Sequence, residues 1–149
     1  MDESSQKTVA FLDAISAAIE QLAGLGDGLF RKTRPYTALL PGRTMLVGVG
    51  DFKSIRFGCG LFRDESMNRS INFGVVIRWT ASEWLIQSLA TADDVPPNPI
   101  QTSLWSSPEY SATTIDDAVR LLQAAVRELI ASADEPRVAE CLATIVPMH

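Results

Sequence analysis

Apolar residues near the start of the chain recur at steps of three or four positions. The residues with this spacing are Val9, Leu12, Ile15, Ile19 and Leu22. Such spacing places them on one face of a helix and leaves Asp13 and Glu20 off that face. Glycines follow at positions 24, 26 and 28. Glycine is common where helices end, so the pattern predicts a helix over residues 5–23 that stops at the glycines. A phosphate-binding loop would need the opposite order, with its glycines before a helix.

Between residues 29 and 91 the apolar period changes to two, which is typical of β-strands. The clearest run covers residues 70–79, where the apolar positions of one parity are Ile71, Phe73, Val75, Ile77 and Trp79. Similar alternation at 45–49 and 55–61 predicts two further strands, and residues 83–91 a fourth. Short segments rich in turn residues separate these runs. We therefore expect neighbouring strands to pair antiparallel as a meander.

The last third of the chain begins with an irregular stretch. Residues 92–113 hold several prolines, Trp105 and Tyr110 without a sustained period, which predicts a long ordered loop. Thr114, with Asp117 three residues later, predicts the N-cap of a helix that runs to Ser132. Pro136 suits the first turn of a final helix. The whole pattern predicts one α+β domain over residues 1–149, with an N-terminal helix, a four- to five-stranded antiparallel β-meander, and two C-terminal helices packed on the sheet.

Length and composition fit a globular domain. The chain has 149 residues, of which 46% are hydrophobic, and a formal net charge of −5. Charged residues interrupt every apolar region, so no membrane-spanning segment is expected. The first residues are acidic where a secretory signal would be basic. Cys59 and Cys141 lie in apolar settings, which is typical of buried free thiols. These observations predict a reducing, cytoplasmic location and no membrane contact.

Residues suited to enzyme chemistry are sparse. The single histidine, His149, is the last residue, where chain ends usually fray. Cys59 has no histidine nearby in the sequence to activate it as a nucleophile. No spacing matches a zinc site or a phosphate-binding loop. We therefore predict a non-enzymatic protein that uses no cofactor and no metal.

Charge is unevenly distributed along the chain. Residues 31–80 hold nine cationic and three anionic residues, whereas residues 81–149 hold three and ten. Solvation of exposed charges explains such a pattern without any ligand. A basic sheet with aromatic residues also suggests RNA binding, but Phe57 has the parity of the predicted core face, whereas Arg56 and Arg78 have the other. The chain as a whole is acidic, so no nucleic-acid partner is expected.

The acidic C-terminal part also holds aromatic residues. Aromatic anchors within an acidic rim suit a protein interface, because the rings bury area and the charges attract a basic partner. The plan of a small acidic α+β domain resembles that of many immunity proteins and secretion chaperones, which bind one protein partner. This resemblance implies an immunity-type inhibitor that blocks a basic toxin by occlusion, or a chaperone of a secreted client. The residues expected at the contact are Asp93, Asp94, Trp105, Glu109 and Tyr110.

Two alternatives remain open. The first is a small-molecule or nucleotide pocket between sheet and helices, near Arg56, Arg78 and Trp79. The second is a homodimer, formed through an uncovered strand edge or through a face rich in glycine. The glycines concerned are all at even positions and are predicted to lie opposite the core face: Gly48, Gly50, Gly58, Gly60 and Gly74.

Overall fold

One antiparallel β-sheet and three α-helices make up the structure, a computed structural model that describes residues 2–33, 37–49, 52–63, 69–94 and 100–145. The elements are α1 (Glu3–Thr33), β1 (Thr37–Val49), β2 (Phe52–Arg63), β3 (Arg69–Trp79), β4 (Trp84–Asp94), β5 (Ile100–Ser106), β6 (Tyr110–Ala112), α2 (Ile115–Ala131) and α3 (Pro136–Ile145). A single 3₁₀ turn, Ser132–Asp134, joins α2 to α3. The predicted α+β class, with its N-terminal helix and two C-terminal helices, is confirmed.

The strands follow the chain order β1-β2-β3-β4-β5, and all the described pairs are antiparallel. The meander predicted for the first four strands is therefore confirmed. β5 and β6 share the second edge of β4, since β5 pairs with residues 89–94 and β6 with residues 84–86. Together they form the last row of the sheet.

The hydrophobic core lies between the helices and one face of the sheet. The sheet contributes Phe57, Cys59, Leu61, Ile71, Phe73, Val75, Ile77, Ile86 and Ala90, all of them buried. The helices contribute Phe11, Ile15, Ala18, Leu22, Leu29, Ala118, Leu122, Ala125, Val126, Leu129 and Val138. Because side chains alternate along a strand, the other face carries residues such as Arg56, Asn72 and Gln87. We call this second face, which lies opposite the core residues of the sheet, the open face, although Ser70 and Thr91 are buried on it.

Helix α1 corrects one prediction, because it continues through all three glycines to Thr33 instead of ending at residue 23. Its apolar stripe also continues, with Leu22, Gly26 and Leu29 buried and Leu25 and Phe30 partly buried. A glycine inside a helix costs about 1 kcal/mol relative to alanine. Burial of a leucine side chain contributes about 1.5–3 kcal/mol, so packing on the sheet outweighs the local preference.

Helix α1 also bears on the membrane prediction. By length and composition alone, residues Glu3–Lys32 form a helix long and apolar enough to cross a membrane. The core helix of a soluble protein and a signal sequence near the N-terminus both meet this criterion, and 28% of the apolar window of α1 is buried in the structure. The cytoplasmic location therefore stays a prediction.

The prediction of a long loop over residues 92–113 is wrong, because most of these residues form the end of β4 and the strands β5 and β6. A β-bulge inserts Leu104 between the partners of Ala90 and Thr91, so Thr102 and Trp105 lie on the same face although they are three residues apart. This shift disrupts the period of two. Ser107 then spans the break before β6: its N–H donates to the Ser88 carbonyl at 2.9 Å, and its Oγ accepts from the Ser88 N–H at 3.0 Å.

The predicted helix starts are confirmed in the C-terminal part. The Thr114 hydroxyl oxygen accepts a hydrogen bond from the Asp117 N–H at 3.2 Å and caps α2. Pro136 begins α3 as expected.

The predicted glycine face is correct in part. Gly58 pairs with Gly74 and Gly60 with Asn72, all on the open face. Gly48 is instead on the core side. The tight connection between β1 and β2 pairs Val49 with Phe52, so even-numbered positions at this end of β1 pair with odd-numbered positions of β2, and Gly48 pairs with Lys53. Gly50 lies outside the described residues.

Candidate functional site

The predicted partner-binding residues lie along one margin of the sheet. Asp93 and Asp94 end β4, where they pair with Gln101 and Ile100 of β5. Trp105 belongs to β5, Glu109 to the connection, and Tyr110 begins β6. From Asp93 to Ile86, the partner of Tyr110, β4 extends about 23 Å at 3.3 Å per residue. We call residues 100–112 the β5–β6 edge.

The structure places the expected aromatic anchor Trp105 and the acid Asp93 on opposite faces of the sheet. Asp93 lies on the open face, where its carboxylate accepts a hydrogen bond from Asn72 Nδ2 at 2.5 Å. Trp105 pairs with buried Ala90 and is therefore on the core side, where it is partly buried. The side chain of Asp94 lies outside the described residues. An approaching partner would meet Asp93 and Trp105 from opposite sides of the same strand row.

The other end of the edge is held by polar contacts. Glu109 forms an ion pair with Arg78. Tyr110 donates a hydrogen bond from its hydroxyl to Glu128 of α2 at 2.5 Å, and this bond raises the pKa of the Tyr110 phenol. The Ser111 hydroxyl donates to Glu83 at 3.0 Å. Tyr110 thus anchors β6 to α2, while Glu83 and Glu109 keep carboxylates at the sheet surface.

Negative charge predominates along this margin. Its described carboxylates are those of Glu83, Asp93, Glu109 and Glu128. Among the ion pairs of the described side chains, one involves these carboxylates, and its cation is Arg78. Within β5 itself, residues 100–106 carry no charged side chain. The edge is therefore uncharged along β5 and acidic at both ends.

Sequence reasoning found the acids but missed the strand edge between them. The signal present was a β-prone run of threonine, leucine and tryptophan at 102–105. Ser107, which is buried between β5 and β6 and hydrogen-bonds to Ser88 of β4, was also missed. No feature of the sequence identified it, since its role depends on the backbone of β4.

The structure places the residues of the alternative pocket on two different faces of the sheet. Arg56 and Arg78 lie on the open face, away from the helices. Trp79 lies on the core side, with its ring centroid 6.0 Å from that of Trp84. Trp84 in turn contacts Phe11 of α1, at a centroid distance of 4.7 Å. The strand therefore separates the two arginines from the tryptophan.

A groove of about 470 Å³ lies elsewhere, between the second half of α1 and α3. Its walls include Gly24, Gly28, Ile130 and Leu142, and its charged lining residues are Lys32 and Asp134. No Cβ added at Gly24 or Gly28 would meet another atom within 4 Å, so the glycines widen the groove. None of the predicted site residues lines it.

Two observations concern side chains that could take part in metal binding or catalysis. Within them, no group of three His, Cys, Asp or Glu side chains is placed to hold a metal ion. Burial raises the pKa of the Cys59 thiol to about 11, so this group stays protonated and unreactive at neutral pH. His149 lies outside the described residues.

Comparison of the chain with models of known protein families gives no match, and comparison with curated protein sequences gives none either.

Proposed function

We propose that this protein is a non-enzymatic protein-binding module that acts as an immunity-type inhibitor of a partner toxin. The supporting observation is the β5–β6 edge, which is uncharged along β5 and carries carboxylates at both ends. No described strand pairs with its outer side. Such an edge presents backbone groups for pairing and side-chain charges that attract a basic surface.

The proposed mechanism is occlusion. Carboxylates at the sheet margin increase the rate at which a cationic partner arrives, and this effect weakens as salt screens the charges. Once bound, the domain covers the partner's active surface and excludes its substrate. The same edge would serve a chaperone of a secreted client, so the identity of the partner decides between the two roles.

Charge reversal tests the proposal. The variant Asp93→Lys/Glu109→Lys changes both ends of the edge, and Asp13→Lys/Glu20→Lys makes the same charge change at exposed positions of α1. Each protein captures partners from the cells that produce it, at low and at physiological salt. We expect one stoichiometric partner for the natural chain and the α1 variant, and about tenfold weaker binding for the edge variant at low salt. Equal binding by both variants would contradict the assignment.

A small-molecule-binding function is the second candidate, and the α1–α3 groove favours it. Its volume of about 470 Å³ lies within the range of ligand sites, and its walls are mainly apolar. A ligand bound there would raise the thermal stability of the isolated chain without any protein partner. Substitution Gly28→Leu would fill the groove and abolish that increase.

A further inference from the structure

We propose that the β5–β6 edge binds its partner by strand addition, and this inference rests on the proposed function. An extended segment of the partner pairs with β5 through backbone hydrogen bonds and becomes the next strand of the sheet. The segment is uncharged along about seven residues and cationic at both ends. Strand addition of this kind derives its affinity from the main chain and its specificity from alternate side chains.

The backbone of β5 has no described strand on its outer side. Its residues pair with β4 on one side, and no other described strand lies next to it. The backbone hydrogen bonds in the described turns and loops include none from Ile100–Ser106 to another segment. An edge strand of this kind presents a row of N–H and C=O groups that another extended chain can pair with.

β5 carries few of the features that protect natural edge strands from pairing. Such strands avoid pairing through charged side chains, proline, β-bulges or very short length. β5 has seven residues with no charge and no proline. The side chains of Gln101, Thr102 and Ser103 are exposed, so no described part of the chain covers them. The β-bulge at Leu104 lies within β5 and leaves Ile100–Ser103 as its regular part, and Pro108 follows the end of the strand.

The side chains of β5 define the sequence of the added strand. Thr102 and Trp105 lie on the core side, whereas Gln101 and Ser103 lie on the open face. Cross-strand contact with Trp105 favours a β-branched or aromatic residue. Contact with Ser103 favours a polar residue. The partner segment therefore alternates between these two types.

Charge at the two ends of the edge favours a cationic partner over a second copy of the chain. If two copies of β5 paired antiparallel about Ser103, the Asp93 end of one chain would lie at the Glu109 end of the other. Each end of the joined sheet would then collect carboxylates, and like charge gathered at an interface disfavours association. A segment with lysine or arginine at both ends instead meets opposite charge at each.

The test uses a synthetic peptide of alternating threonine and valine with two lysines at each end. A matched peptide has the same charges but carries prolines in place of the valines, so it cannot form a strand. Hydrogen exchange of the intact protein is followed at the amides of β5, with and without each peptide. We expect the threonine–valine peptide to slow exchange in residues 100–106 by about tenfold or more. The proline peptide is expected to leave these amides unchanged.

Other outcomes separate this inference from the proposed function. Both peptides could bind with equal affinity, lose that affinity when Asp93 is replaced, and leave the β5 amides unprotected. That result would support charge attraction and show that strand addition is wrong. Absence of binding by the threonine–valine peptide at millimolar concentration also overturns strand addition, while capture of a protein partner still tests the function. A third outcome would assign the edge to a second copy of the chain. In that case the peptide-free protein would sediment as a dimer, Ser103→Lys would dissociate it, and the charge control Gln123→Lys would not.

Discussion

Gly58 provides the sharpest test of the sheet geometry. A Cβ built on Gly58 would lie 1.9 Å from the Phe73 carbonyl oxygen and 2.8 Å from the Gly74 Cα. Real Cβ contacts essentially never fall below 3.0 Å, so β2 and β3 would have to separate by about 1.1 Å at this pair. Both obstructing atoms belong to the backbone and cannot rotate away. Forced overpacking costs about 1–3 kcal/mol, and we expect Gly58→Ala to reach the upper end of that range.

The matched control is Gly74→Ala, on the paired residue of the next strand. Its Cβ would lie 3.5 Å from the Phe57 carbonyl oxygen, which is an ordinary contact. Alanine also restricts the unfolded chain more than glycine does, so this variant should be neutral or up to about 1 kcal/mol more stable. Urea unfolding followed by circular dichroism measures both free energies. Equal stabilities for Gly58→Ala and Gly74→Ala would refute the close approach of the two strands.

Three further predictions concern single residues. Gly28→Ala should increase the free energy of unfolding by about 0.5–1 kcal/mol, because Gly28 is inside α1 and its added Cβ meets no atom within 4 Å. Thermal denaturation measures this change, and a decrease in stability would contradict the helical conformation of α1 at this position. Ser88→Ala should be neutral or stabilising by about 1 kcal/mol, because the Ser88 hydroxyl is buried without a partner. Ser107→Ala should instead cost about 1–2 kcal/mol, because the Ser88 N–H loses its hydrogen-bond acceptor. Urea unfolding measures both free energies, and a change of the same sign for the two variants would contradict these roles. Burial raises the pKa of the Cys59 thiol from 9.0 to about 11, so its contribution to stability is present below pH 9 and is lost as the pH rises towards 11. Cys59→Ala should therefore flatten the plot of unfolding free energy against pH between pH 9 and 11. An unchanged slope in that range would contradict the burial of the thiol.

Sequence reasoning predicts elements well where local and tertiary signals agree. The alternation at 70–79 predicted β3, since one face of that strand is buried and the other is open. Thr114 predicted the start of α2 because its capping bond is local and depends on residues three apart. Pro136 predicted the start of α3 for a similar reason.

The errors arise where tertiary contacts override local preference. Glycines 24, 26 and 28 favour a helix end, but the sheet provides burial for Leu22, Gly26 and Leu29 on one continuous stripe. β5 escaped recognition because the bulge at Leu104 breaks its alternation and because the strand is stabilised by pairing with β4. The acids of the candidate site were found from composition. Their arrangement around a free strand edge depends on pairing that the sequence pattern does not contain.

The most direct test of the central claim is a hydrogen-exchange footprint of the protein bound to its captured partner. The account predicts that slowed exchange is concentrated in residues 100–112 and that the exposed side of α1 exchanges as in the free chain. Protection confined to α1 or to the α1–α3 groove, with the β5–β6 edge unchanged, would contradict the claim that this edge is the binding surface.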